Sequence, residues 1–109
     1  MALHAVIYRY STDSAALDEH RPEHKDYLRS LFEQGHIVVS GPLADGGGPG
    51  ALLILDAADP DEVEALLDQD PFHALGLIVE REVRRWNPAL GGERLSPGTR
   101  MTSQPIAAA

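Results

Sequence analysis

Three side chains in this sequence are of types that move protons or steady a developing oxyanion: the imidazole of His24, the carboxylate of Asp70 and the hydroxyl of Ser40. Imidazole changes charge near neutrality, so it serves as a general acid or base. His24 closes the run His20-Arg21-Pro22-Glu23-His24, Ser40 opens Ser40-Gly41-Pro42, and Asp70 opens Asp70-Pro71-Phe72. Each sits at a boundary between elements, and together they point to a pocket. His24 shares a helical stripe with Tyr27, Leu28 and Leu31, which turns it toward the interior. A histidine there is costly to bury without a hydrogen bond, and a carboxylate is its natural partner. The imidazole is then either a core group satisfied by that carboxylate or a working acid or base. Asp70, before Pro71, is equally suited to closing a local turn. Ser40 either donates to a substrate oxygen or ends a strand. Without a G-x-S-x-G frame it is not read as a nucleophile.

Around this trio Phe72 is expected to wall the pocket, with Gly41, Pro42 and Pro71 beside it. Arg9 and Arg21 are the cations suited to a substrate carboxylate, or to ordinary ion pairs on an acidic surface. Tyr8 and Tyr10 are read as packing residues of a first strand. His20 to His24 also matches H-x-x-E-H, a zinc-hydrolase pattern. Pro22 lies inside it and is expected to start the helix rather than continue it, and the chain is short for such an enzyme, so no metal site is expected. Gly46-Gly47-Gly48 lacks the lysine and hydroxyl of a phosphate loop and reads as a hairpin tip. No cofactor motif is present.

The elements that must hold these groups alternate clearly. Leu3 to Tyr10 reads as a strand. A helix is expected from about Pro22, where proline suits a first turn, to Gly35, with a separate helical turn before it. His36 to Ser40 is a second strand, and Ala51 to Asp56 a third, joined through the glycine loop as an antiparallel hairpin. Asp59-Pro60-Asp61-Glu62 is a helix start, with Val63, Leu66 and Leu67 as its buried stripe and an end near Asp70-Pro71. Leu77 to Trp86 alternates as a fourth strand, with Leu77, Val79 and Val83 on one face and Glu80, Glu82 and Arg84 on the other. The order β-α-β-β-α-β is that of an α+β, ferredoxin-like protomer. Two helices cover one sheet face and leave the other open. Stacking two such faces in a homodimer would close it as an α+β barrel. After Trp86 the composition turns to Pro, Gly, Ser and Ala, so residues 87–109 are expected to form an arm or disordered tail on a domain of residues 1–86.

Bulk composition narrows the function further. The 109 residues suffice for one modest core, and 17 acids against nine Lys and Arg give a formal charge of −8. That balance disfavours nucleic acid and anionic membrane surfaces as partners. There is no cysteine, which excludes disulfides and thiolate chemistry. Nothing approaches the apolar run of about 18 residues that a membrane helix needs, and the N-terminus has no basic, apolar leader, so a cytoplasmic protein is expected.

In order and spacing, His20-Arg21-Pro22-Glu23-His24 with Tyr27-Leu28, Ser40-Gly41-Pro42-Leu43, Asp70-Pro71-Phe72 and Glu82-Val83-Arg84-Arg85-Trp86 resemble the YCII-related family of small dimeric α+β barrel proteins, over about residues 3 to 86. The resemblance implies a ferredoxin-like protomer, a dimer of stacked sheets and a pocket holding a His-Asp pair. That pair falls on His24 and Asp70, with Ser40 as a nearby hydroxyl. It implies a small-molecule ligand, anionic or aromatic, and cofactor-independent proton transfer of the isomerase or dehydrochlorinase kind. The alternative is a non-catalytic ligand-binding or structural dimer module. The extension after Trp86 departs from the short family pattern.

Overall fold

The computed structural model describes residues 2–95. Strand β1 (Leu3–Tyr10) is followed by helix α1 (Ser14–Glu33), then β2 (Ile37–Pro42), β3 (Gly50–Asp56), helix α2 (Pro60–Leu67), a one-turn helix α3 (Pro71–Ala74) and β4 (Ile78–Arg85). The sheet has the order β2-β3-β1-β4, and each neighbouring pair is antiparallel. This is the ferredoxin-like α+β arrangement expected from the element order.

Alternation along β1 separates two faces. Val6 and Tyr8 join Leu53 and Leu55 of β3, Leu31 of α1, and Val63 and Leu67 of α2 in the main core. On the opposite face Leu3, Ile54 and Val38 form a smaller cluster. That second cluster is closed by Leu95, at the end of a 3-10 turn (Gly92–Leu95) that follows β4. Part of the extension after Trp86 therefore lies back on the open sheet face. The remainder of the expected arm or tail, residues 96–109, lies outside the described residues. Ile7, Val39 and Leu52 stay 39–47 % exposed on that same face.

Four local readings are corrected. Helix α1 does not begin at Pro22; it runs unbroken from Ser14, capped by Asp13, whose side chain accepts the Ala16 N–H. Pro22 removes one backbone donor, but both it and Asp18, whose carbonyl loses that donor, are exposed. The stripe Leu17, His24, Leu31 is buried along the whole length, and that packing holds the helix through the proline. The second helix stops at Leu67, and a separate turn, α3, begins after Asp70. In β4 the register shifts between Arg9 and Tyr10 of the partner strand: Arg9 pairs with Glu80 but Tyr10 with Ile78. Val79 is the extra residue of that bulge and is half exposed, so it does not share the face of Val83. Strand β2 also continues through Gly41 and Pro42, which pair with Leu52 and Ala51; proline is tolerated because β2 is an edge strand.

Gly50 is the position where β3 meets β1 most closely. A methyl group there would stand 2.4 Å from the Tyr8 carbonyl oxygen, a backbone atom that cannot swing aside. Gly50→Ala is expected to lower stability by about 1–3 kcal/mol through forced strand separation. A lower denaturant midpoint at unchanged slope would show it. An unchanged midpoint would mean the strands part without cost.

Candidate active site

The site is assembled from α1, α3 and the inward face of the sheet. His24 is 6 % exposed and Asp70 fully buried, although 46 residues separate them in the chain. The Nδ1 atom of His24 lies 2.9 Å from one Asp70 oxygen and 2.8 Å from the other. A carboxylate only accepts, so Nδ1 carries the proton and Nε2 presents its lone pair on the other edge of the ring. Asp70 Oδ1 also accepts the Phe72 N–H at 2.9 Å, which makes the same residue the N-cap of α3. Local turn and histidine partner are thus one residue's two roles. Pro71 at the first position of α3 sets the chain direction there.

Phe72 is buried and lies flat against His24, ring centroids 4.0 Å apart and 6° from parallel. Tyr10 meets both rings edge-on, at 5.9 Å from His24 and 5.5 Å from Phe72. Its hydroxyl lies 3.4 Å from Nε2, a loose donor to the face of His24 that Asp70 does not occupy. Held on one edge by a carboxylate and on one face by a phenyl ring, the imidazole has a single orientation and a defined tautomer. Sequence reading had Tyr10 as packing alone. Its parity with Val6 and Tyr8, rather than with Arg9, is the signal that puts it on the inward face.

Beside the pair lies a cavity of about 760 Å3 lined by residues of α1, β2 and β3 together with Tyr10 and Phe72. Arg21, Ser40, Gly41 and Pro42 line it, as does His24 itself. The structure therefore brings His24, Asp70, Phe72, Arg21 and the Ser40-Gly41-Pro42 segment to one place. Pro71, at the start of α3, is not among the residues that line the cavity. Arg9 is placed elsewhere: it points to the opposite sheet face and pairs with Glu80 at 2.6 Å. A second hollow of about 530 Å3 lies on that face, lined by Arg9, Asp45, Glu80 and Glu82 among others. His20 faces Glu23 at 3.4 Å, and among the described residues no group of three or more metal-binding side chains converges.

Burial, and after it the negative charge of Asp70, pushes the hydroxyls of Tyr10 and Tyr8 well above the usual phenol range. Tyr27, whose hydroxyl donates to the Leu66 carbonyl at 2.7 Å, is raised by the same two causes. Tyr10 hence stays a neutral donor at any physiological pH. A folded-state pKa above the unfolded one means a contribution to stability that is fully present below about pH 10 and is lost as pH rises beyond it. Phenolate absorbance of Tyr8 and Tyr10 is accordingly expected to appear together with alkaline unfolding, followed by ultraviolet difference spectra and circular dichroism. Phenolate formation in a protein still folded would contradict the burial argument.

Among known proteins, a model of the YCII-related domain matches residues 2–87. The solved structure of 5-chloro-2-hydroxyhydroquinone dehydrochlorinase from Burkholderia phenoliruptrix, in complex with 2,5-dihydroxybenzoquinone, is similar at a TM-score of 0.68 and 28 % identity, covering 78 % of this chain and 93 % of that one. A NIPSNAP domain protein from Burkholderia xenovorans shares the fold at a TM-score of 0.55 and 15 % identity, over 84 % of this chain and 97 % of that one. A sulfate/thiosulfate import ATP-binding protein of Shewanella oneidensis is 33 % identical over 88 residues, 81 % of this chain but 23 % of its own length. This chain thus spans about a quarter of that relative. No helix among the described residues is long and apolar enough to cross a membrane.

Proposed function

Since the chain belongs to the YCII-related domain family, we propose that it binds a small molecule beside His24 and moves a proton on it without a cofactor, with His24 Nε2 as base and acid and Asp70 as its positioning residue. The observation that carries this reading is the double contact of Nδ1 with Asp70, at 2.8 and 2.9 Å, in a buried setting. It favours the tautomer with the proton on Nδ1, which leaves the lone pair on Nε2 of a residue that lines an accessible cavity. A carbon acid or ring hydroxyl seated there would give up its proton to Nε2 and recover it at another atom, or lose halide as the electron pair moves. Ser40 and Arg21, which line the same cavity, supply the hydroxyl and the guanidinium that this reading assigns to steadying charge on a substrate oxygen. The structural likeness to a dehydrochlorinase supports the same class of chemistry.

The test is solvent exchange. Chloro-hydroquinones, enol-lactones and other carbon acids are incubated in deuterated buffer and followed by NMR. Deuterium uptake or chloride release by wild-type protein, absent with His24→Ala, supports proton transfer. Ligands that shift the His24 ring signals yet remain chemically unchanged across the whole set would instead support the non-catalytic binding module.

The open sheet face bears on assembly. Ile7 and Leu52 are cross-strand neighbours there, exposed beside Val39 and next to the cluster closed by Leu95. A second copy stacked sheet to sheet would bury them, and we take the protein to be a homodimer through this face.

A further inference from the structure

The cavity beside His24 carries a charge distribution at odds with the rest of the chain. The sequence holds 17 Asp and Glu against nine Lys and Arg. Yet no Asp or Glu lines this cavity, while Arg21, Lys25 and Arg29 all do. The hollow on the opposite sheet face differs in having carboxylates on its wall, where Asp45, Glu80 and Glu82 stand beside Arg9 and Arg81.

The three cations repeat every fourth residue of α1, so they form one row on its surface, about 12 Å from first to last. Arg21 is already bonded to the Asp18 carboxylate. Lys25 and Arg29 have no ion-pair partner among the described residues, and both are exposed. Like charges four residues apart weakly disfavour a helix, and among the described residues no carboxylate pairs with Lys25 or Arg29 to offset that repulsion. The inner wall is of the opposite character: Leu28, Ala51, Leu53 and Phe72 are apolar. A ligand satisfying both surfaces has a flat apolar body and one anionic group at its end.

We propose that Lys25 and Arg29 are specificity-determining residues which select a small carboxylic acid, holding its carboxylate at the cavity rim while its apolar body reaches toward Phe72 and His24. This rests on the reading of the cavity as the substrate site. Lys25 directly follows His24 and Arg29 stands one turn further on, so an acid bound by both is anchored along the wall that carries the imidazole. The cavity volume of about 760 Å3 accommodates a ligand of one or two rings.

Salicylate and its neutral amide, salicylamide, are the probes, since they share shape and hydroxyl but differ in charge. With the full chain at low salt, salicylate is expected to bind about tenfold more tightly than salicylamide, as befits charge-assisted contacts at a partly exposed rim. In the double variant Lys25→Gln with Arg29→Gln the two affinities converge, and the amide affinity stays unchanged. Glutamine keeps the helix propensity, and circular dichroism checks the fold. Equal affinities in the wild type, binding of neither probe, or a preference that survives in the double variant would each overturn the proposal. Equal affinities with shifted His24 signals defeat the cationic rim alone. A charge preference that vanishes in the variant, with no solvent exchange in any carbon acid, upholds the rim and defeats proton transfer alone.

Discussion

Asp70→Asn is expected to lower the proton-transfer rate by roughly 10²- to 10⁴-fold while leaving the protein folded. The argument follows the hydrogen bonds. The Phe72 N–H still needs an acceptor at 2.9 Å, and in the variant only the amide oxygen offers one. The amide NH2 then faces His24 Nδ1 as a donor, where the carboxylate had been a double acceptor at 2.8 and 2.9 Å. Nδ1 must accept, so the ring proton moves to Nε2. The lone pair that would take a proton from the substrate is replaced by an N–H. Binding of the ligand changes little, because every residue lining the cavity is kept, Asp70 not being one of them. Nitrogen NMR of the imidazole reports the tautomer directly, and exchange rates on any carbon acid that the wild type turns over report the loss. A variant with the switched tautomer and full turnover would show that Nε2 is not the base.

How much of this was legible in the sequence depends on how local each signal is. Strand β1 was readable to its ends, because its composition and bounding polar residues are local. So was the start of α2: Asp59 Oδ1 accepts the Glu62 N–H at 2.9 Å, and Glu62 reaches back to the Ala58 N–H at 2.7 Å. What escaped depends on partners distant in sequence. The bulge at Val79 exists only in the pairing of β4 with β1, so period-two counting along β4 alone misplaces that residue. Pro22 reads locally as a helix start, whereas the packing of Leu17 and Leu31 on either side of it decides otherwise.

The site divides in the same way. His24, Asp70 and Phe72 were nameable as types at boundaries, but their meeting is a product of α1 crossing α3, not of any spacing. Arg9 was grouped with the pocket for its charge. Its odd position in β1, beside even-numbered Val6, Tyr8 and Tyr10 on the core side, assigns it to the other face, where Glu80 holds it. Nothing in the sequence alone singles out Lys25 and Arg29; the absence of described carboxylates from the cavity wall gives their row with Arg21 its meaning.

The second large effect is on stability, and it separates a structural pair from one kept for chemistry. Asp70→Ala leaves the His24 Nδ1–H and the Phe72 N–H without acceptors in a site where His24 is 6 % exposed. Removing one partner of a buried pair costs about 3–5 kcal/mol. That is a large share of the roughly 5–15 kcal/mol that holds a domain of this kind together. Urea unfolding of the single variant should show the loss as a lower midpoint. Adding His24→Leu to Asp70→Ala removes the stranded imidazole and replaces it with a side chain suited to the contact with Phe72. The double variant is expected to recover most of the loss, and to equal or exceed the wild type if desolvation outweighs the pairing. Such recovery would mean that the fold has no need of the pair, since an apolar contact serves the core as well. The buried imidazole and carboxylate would then be maintained at a cost in stability, which only the chemistry at Nε2 accounts for. A double variant as unstable as Asp70→Ala alone would instead make the N-cap of α3 the dominant role of Asp70, and His24 a core group satisfied in passing.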